Sequence, residues 1–399
     1  MSSILVVGDE RPTGQIAGPA IRVASIVRQL GQFHDVTVMT PNGNSLIEGS
    51  SRAIPLVPEA LTREIKQHQI TISRPGLLGF RNLRLFQEPN RFLIVDLVIP
   101  QPVEGLHYFA QFKDDGLKLY STAQRRLRRT LLVGDFFLAA SEQQRVFWLG
   151  AALSTRSLPP TYIQEDPNLE ALVALAPSGV DSAEGLSPEG EKGRLLWGGG
   201  LWDWTDPKTL VEAVASLERD DLLVHFPGTR HPDGRVPLAK NVAAIESMAR
   251  ELPVKVELQQ GWSSKDERLD YLQRAFIGVS LHGAGIEPAL SWRFRVLDYL
   301  WAGLPIIITA GCPFAALVQE YGAGVVVPPG DVKACASAIE KMVDDEDFLK
   351  ECRQGVEKLR QHLDWQKTLK PLLHFCQEPH KAPDHGSESW YGLVRMALA

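Results

Sequence analysis

The sequence predicts two doubly wound α/β domains in tandem, and three observations carry that reading. Short apolar runs ending in turn residues alternate with segments of helical periodicity, the order that builds βαβ units and parallel sheets. The alternation occurs twice, separated by a polar Gly/Pro/Glu-rich stretch, "VDSAEGLSPEGEKG" at 180–193, of the kind that links domains. At 399 residues the chain has length for two domains of ordinary size.

In the first series "SILVVGD" (3–9), "DVTVMTP" (35–41) and "RFLIVDLVIP" (91–100) read as buried strands, with "AIRVASIVRQL" (20–30) a helix between the first two. "DFFLAAS" (135–141) is a further strand. It leads into the helix "EQQRVFWLG" (142–150), where Ser141 and Gln144 have the spacing of a capping box. The second series runs "RLLWGGG", "DPKTLVEAVASL", "LLVHFPG", "VKVELQQGW", "SKDERLDYLQRA", "FIGVSLHGAG", "RVLDYLWAG", "LPIIITAG" and "GAGVVVPPGD" (194–331). Nearly every strand ends in Gly or a Gly pair. The expected division is an N-terminal Rossmann-like domain over 1–183, a linker at 184–192, and a second Rossmann-like domain over 193–370. A tail at 371–399 packs back toward the first domain. By the strand-end rule each domain presents its loops to a crevice between them.

Composition narrows the class. A hydrophobic content of 44% and a charged content of 23% are those of a globular protein. Apolar runs such as "LPIIIT" are too short to span a bilayer, and "MSSILVVGDE" has no basic n-region or cleavable signal. The four cysteines (Cys312, Cys335, Cys352, Cys376) form no CxxC or Cys/His cluster, so neither a zinc site nor a disulfide framework is expected and a reducing cytoplasm is the default. Net charge is −6, but residues 1–150 hold 17 Lys and Arg against 13 Asp and Glu, a balance of +4 that leaves −10 for the rest. Much of the excess sits in "AQRRLRRTLL" (123–132). Such a run reads either as a solvated helix face or as a contact with anionic membrane or an acidic acceptor. Nucleic acid is not indicated, since the run has no interleaved aromatics.

The chemistry concentrates in "HGAGIEPALSWRFRVLDYLWAGLP" (282–305). Glu287 lies in a glycine-flanked loop, and Phe294, Leu297, Leu300 and Trp301 recur at helical spacing behind Ser291, a natural N-cap. Arg293 and Arg295 then fall in the first turn, where the positive end of the macrodipole disfavours cations. An anion there resolves the conflict: both arginines and the helix N-terminus can hold a diphosphate. Glu287 can accept from sugar hydroxyls and Asp298 from two vicinal ribose hydroxyls. An Arg295–Asp298 helix-face pair is the plainer alternative, and it leaves Arg293 unaccounted for.

A nicotinamide dinucleotide does not fit. The first turn has Gly8, Gly14 and Gly18 but no GxGxxG, and "VMTP" ends the second strand without an acid for a ribose hydroxyl. Gly14 and Gly18 before a helix still suit close approach by an anion, or a plain flexible loop. A Walker A loop and a G-x-S-x-G elbow are both absent from the sequence.

"DYLWAGLPIIIT" (298–309) with Glu287 upstream resembles the C-terminal motif of retaining GT-B-fold glycosyltransferases of family 4, whose motif pairs two acids before "AMACGLPVVAT". Asp298 stands for the usual Glu, and the acids are eleven residues apart rather than eight. A bacterial group 1 type subgroup with "SFRTRVLDYLWAG" is similar to "SWRFRVLDYLWAG" here, and has segments comparable to "GDFFLAASEQQRVFWLG", "WGGGLWDWTDPKTL" and "FPGTRHPDGRVP". The likeness covers roughly 1–45 and 92–380, and residues 46–91 match nothing in it.

The resemblance implies a GT-B architecture of two Rossmann-like domains facing a central cleft. It implies a metal-independent hexosyltransferase moving a sugar, with retention, from a UDP- or GDP-type donor to a glycan or lipid-linked acceptor in cell-surface polysaccharide biosynthesis. No cofactor is expected, because the nucleotide sugar is a substrate. Glu287 would contact the donor sugar, Asp298 the ribose and Gly18 the diphosphate; Gly199 and Gly200 would line the cleft, and Trp262 would lie near the base. The family's Arg and Lys in the loop after the first C-terminal strand are replaced by Trp202, Asp203, Trp204 and Asp206. Arg293, Arg295 and, more weakly, Arg230 are the cations left to take their place. Asp96 and Glu104 in "IVDLVIPQPVEGL" would face the acceptor, although the subgroup's "DLYDP" has lost its second acid here. Location is expected to be cytoplasmic, with peripheral membrane contact through 123–132. Two rivals on the same fold stand beside the transferase: a protein that binds nucleotide sugar without transferring it, and a nucleotide-sugar epimerase. The second needs a general base that the sequence does not single out.

Overall fold

A computed structural model describes residues 2–8, 18–41, 43, 46–183, 185, 186, 190–229, 238–387, 390–392 and 394, without the side chain of Lys113. The chain divides into two units, Met1–Ser178 with Trp365–Ala399, and Gly179–Asp364. Each is a parallel sheet with helices on both faces, as the doubly wound reading requires.

The first sheet comprises β1 (Ser3–Val7), β2 (Asp35–Thr40), β3 (Arg52–Pro55), β4 (Ile70–Ser73), β5 (Phe92–Asp96), β6 (Phe136–Ala139) and β7 (Val173–Leu175), in the order 3-2-1-4-5-6-7. The two-residue period divides each strand between two cores. Ile4, Val6, Val38, Ile70, Ile72 and Ile94 pack with Ile26 and Leu30 of the Gly18–Leu30 helix; Leu5, Val7, Met39, Leu93 and Val95 pack with Leu61, Ile65, Leu127 and Leu131 on the opposite face. The C-terminal helices close the first of these cores through Trp365, Leu369, Leu372 and Phe375, whose ring stacks on Phe136 with centroids 4.4 Å apart. Asp384 then ion-pairs with Arg156 in full burial, and Lys381 lies 3.3 Å from Asp135. Trp365 already belongs to this unit, so the second unit ends six residues before the expected boundary at 370.

Three strands were not predicted from the sequence: β3, β4 and β7. β4 is central, paired with both β1 and β5, yet its sequence is "ITIS". Thr71 and Ser73 are buried with the isoleucines, so the strand presents no continuous apolar run to read.

The second sheet comprises β8 (Arg194–Leu196), β9 (Leu223–Phe226), β10 (Lys255–Leu258), β11 (Ile277–Ser280), β12 (Ile306–Thr309) and β13 (Gly324–Val327), in the order 10-9-8-11-12-13. Strand order reverses between β8 and β11, the place where an open α/β sheet leaves a crevice at its carboxyl edge. Their ladder is two residues long, pairing Ile277 with Leu195 and Gly278 with Leu196. Beyond it Tyr299 of the Phe294–Trp301 helix takes over. Its hydroxyl accepts from Gly198 N (2.7 Å) and shares its proton between the carbonyls of Leu196 (3.1 Å) and Val279 (2.8 Å). Gly278 makes room for the ring: a Cβ there would lie 2.4 Å from it. All four cysteines are free and buried. No described helix is long and apolar enough to cross a membrane.

Candidate functional site

The β8–β11 crevice of the second unit gathers most of the sequence-predicted residues. Gly199 and Gly200 follow β8, and Gly199 has φ +76, a conformation glycine adopts without strain. Trp262, after β10, lies against both Gly200 and Gly228: added Cβ atoms would come within 3.3 and 3.6 Å of its ring. Arg295 reaches back to the same loop and donates from Nη2 to Gly200 O at 2.9 Å. Its guanidinium sits 4.6 Å from the Trp197 ring centroid, and Nη1 is buried with no hydrogen-bond partner among the described residues. Burial lowers its pKa to about 10.

Arg293 is placed differently. It is the N-cap residue of the Phe294–Trp301 helix, and its Nη2 lies 2.6 Å from Glu287 Oε2, with the two side chains 8% and 2% exposed. Ser291 donates to the other oxygen of Glu287 at 2.9 Å. Ser291 therefore does not cap this helix, as its position suggested; it follows the short Ile286–Leu290 helix and helps hold its acid. The two cations near one helix start have separate explanations: Arg293 is neutralised by Glu287, and Arg295 lies on an aromatic face with Nη1 unpartnered among the described residues.

The plainer Arg295–Asp298 pairing is not formed. Asp298 instead receives a bidentate pair from Arg268 of the Lys265–Arg274 helix, with Arg268 Nε 3.2 Å from Oδ2. Arg268 and Asp298 are 27% and 19% exposed, so the pair sits at the rim rather than in the core. Arg268 was missed because its partner lies thirty residues away, a separation no local pattern reports. His282 and Tyr299 were missed for the opposite reason: both look like ordinary members of an apolar stretch.

The acids that replace the expected Arg and Lys after β8 do structural work. Asp206 caps the Pro207–Ser216 helix, accepting from Thr209 N (3.2 Å) and Thr209 Oγ1 (2.6 Å). Asp203 accepts from Lys240 N at 2.6 Å, at the start of the Lys240–Glu251 helix. Trp202 and Trp204 stack on each other, with centroids 5.1 Å apart and planes 9° from parallel.

Gly18, Asp96 and Glu104 belong to the first unit. Gly18 opens the Gly18–Leu30 helix, and four residues on Arg22 forms a buried ion pair with Asp96 at 2.7 Å. Glu104 lies half-buried in the first turn of the Gln101–Phe109 helix. Arg230 lies outside the described residues. Among the described residues, no group of His, Cys, Asp and Glu could hold a metal ion.

Residues 191–359, which include every element of this crevice, match the family model described as "Glycosyl transferases group 1". The match falls wholly within the second unit. The two-sheet fold is that of GT-B glycosyltransferases. The chain is similar to sucrose-phosphate synthase (tll1590) from Thermosynechococcus elongatus, with 18% identity over 94% of this chain and 99% of that one, at a TM-score of 0.65. It is also similar to Anabaena Alr3699/HepE in complex with UDP and glucose (11% identity, 94% and 100% covered, TM-score 0.62). A third similar structure is WaaG, a glycosyltransferase involved in lipopolysaccharide biosynthesis (15%, 99% and 98%, 0.56). At these identities the likeness speaks to fold. No curated protein matches the sequence.

Proposed function

We propose that the protein is a metal-independent hexosyltransferase that moves a sugar from a nucleoside-diphosphate donor to a hydroxyl of a glycan or lipid-linked acceptor, with retention of anomeric configuration. The observation that carries this reading is the clustering of Glu287, Arg293, Arg295, Asp298, Gly199, Gly200 and Trp262 at the β8–β11 crevice of a group 1 domain. Arg295 offers the diphosphate an unspent N–H beside the strand-end glycines, which let a ligand approach the backbone closely. Asp298 serves the ribose once Arg268 yields one of its bonds, and Trp262 serves the base by stacking. Glu287, fixed by Arg293 and Ser291, presents the transferred sugar with a carboxylate whose orientation is set in advance.

In the transfer, the bond from the anomeric carbon to the diphosphate oxygen breaks as the acceptor oxygen bonds the same face. The leaving phosphate takes the acceptor's proton. The protein's contribution is charge stabilisation of the leaving group and alignment. UDP is the first nucleotide to test, since the solved structures of similar fold include complexes with UDP and UDP-glucose. The first unit, through Asp96 and Glu104, is the proposed acceptor side. The exposed Arg125, Arg126 and Arg128 of the Lys113–Val133 helix would bring it to an anionic, inner membrane face.

The test is release of UDP from UDP-glucose in the presence of chelator, with and without a pool of lipid-linked glycans. Acceptor-dependent release supports the reading, and no release with UDP-, GDP- or ADP-sugars sinks it. A second reading, a non-catalytic nucleotide-sugar binder, is favoured by one observation: both acids of the motif are already engaged by arginines. It predicts binding without release under any acceptor.

A further inference from the structure

His282 stands at the end of β11, beside the group 1 motif, and neither the motif nor the proposed donor contacts use it. Its backbone is fixed on two sides. His282 N donates to Thr309 Oγ1 at 3.1 Å, and the residue bridges to Thr205 in the loop after β8. The side chain is 1% exposed.

Nδ1 lies 2.9 Å from the carbonyl oxygen of Gly283. A carbonyl can only accept, so Nδ1 carries the proton. Burial lowers the imidazole's pKa, which keeps the ring neutral. The remaining nitrogen, Nε2, is then a bare lone pair, an acceptor without a donor. It is buried with no hydrogen-bond partner among the described residues. A sealed, unsatisfied acceptor is costly to a fold, and such groups persist where a ligand completes them. Residues 283–286 that follow are all exposed, so the buried ring adjoins a solvent-facing loop.

We propose that His282 Nε2 accepts a hydrogen bond from a hydroxyl of the transferred sugar, making it a sugar-positioning and specificity-determining residue of the donor site. The inference rests on the donor-site reading above and goes beyond it by assigning the residue that tells a sugar conjugate from the bare nucleotide. The chemistry suits the role: a neutral acceptor discriminates for a hydroxyl at one position and leaves the binding of the phosphates to the cations. Losing such an acceptor penalises the hydroxyl-bearing ligand alone.

Two substitutions separate this role from a structural one. His282→Asn keeps an N–H near Nδ1 for the Gly283 carbonyl and removes Nε2. His282→Gln keeps an acceptor oxygen near the Nε2 position. Binding of UDP and UDP-glucose to the full chain is measured by calorimetry, with GDP and GDP-glucose substituted if those are the pair the wild type binds. The expected result is a five- to tenfold loss of UDP-glucose affinity in His282→Asn with UDP unchanged, and recovery to within threefold in His282→Gln. UDP-glucose binding that survives in His282→Asn, or UDP and UDP-glucose affinities that fall in the same proportion, overturns the proposal and leaves the donor site standing. A wild type that binds no nucleoside diphosphate overturns both.

Discussion

The Glu287–Arg293 pair sits at the centre of the motif, and its energetics can be worked from its burial. Replacing Glu287 by Gln leaves the Arg293 guanidinium, 8% exposed, without its counter-charge; replacing Arg293 by Met strands a carboxylate that is 2% exposed. Breaking a buried pair from one side costs about 3–5 kcal/mol, whereas replacing both partners together is close to neutral. Ser291 still reaches the side chain at position 287 in the Gln variant, so that single change should fall at the lower end. For a unit of this size about 1 kcal/mol moves Tm by roughly 2–4 °C, which puts each single variant some ~6–20 °C below the wild type. The assay is calorimetry of the full chain, with Glu287→Gln, Arg293→Met and the double variant forming a cycle. With Glu287→Gln at about 3 kcal/mol, Arg293→Met at about 3–5 kcal/mol and the double variant close to neutral, the expected coupling is about 6–8 kcal/mol, the double being far more stable than the sum of the singles. Additive singles, or singles each costing under about 1 kcal/mol, would show that the two groups do not depend on each other.

Three further outcomes follow from the same geometry. Tyr299→Phe strands Gly198 N–H at the strand split and should cost about 1–3 kcal/mol, read as a lower urea midpoint; an unchanged midpoint contradicts the role given to the hydroxyl. Arg268→Ala frees Asp298 for the ribose, and a rim pair worth at most about 1 kcal/mol implies up to about fivefold tighter nucleotide binding by calorimetry. Weaker binding would mean that Arg268 itself holds the ligand. His225 takes a hydrogen bond from Arg194 at 3.2 Å, and burial lowers its pKa from 6.5 to about 4. The unfolded chain therefore binds the proton first, so stability is full above pH 6.5 and declines as pH falls toward about 4. His225→Gln should flatten that part of the Tm–pH curve, and a curve of unchanged slope excludes His225 as its source.

The strands that end in glycine or proline were legible because an apolar run with a hard stop has few alternatives. β4 was not, since Thr71 and Ser73 are buried by their neighbours on both sides and carry no apolar signal of their own. Ser141 does cap its helix, accepting from Gln144 N at 3.2 Å, but the Gln144 carbonyl takes Ala140 N rather than completing the box. A full capping box forms instead at Ser264 and Glu267, in a helix expected only from its periodicity. In the crevice the motif residues were readable from spacing, while their partners were not. Glu287 and Arg293 were expected to meet sugar and phosphate, and the structure joins them to each other first. Asp298 is held by Arg268, a contact that exists only once the Lys265–Arg274 and Phe294–Trp301 helices, which precede and follow β11, are brought together.

The donor site is tested most directly by thermal unfolding of the metal-free protein with UDP, GDP, ADP, CMP and their glucose conjugates, run in parallel on Arg295→Ala. A ligand at a hundred times its Kd adds about 2.7 kcal/mol, a rise of roughly 5–10 °C for a unit of this size. One nucleotide and its sugar conjugate should produce such a rise in the wild type, and Arg295→Ala should lose most of it. A folded wild type that none of them shifts, or a shift that Arg295→Ala keeps in full, would contradict a diphosphate site at the β8–β11 crevice.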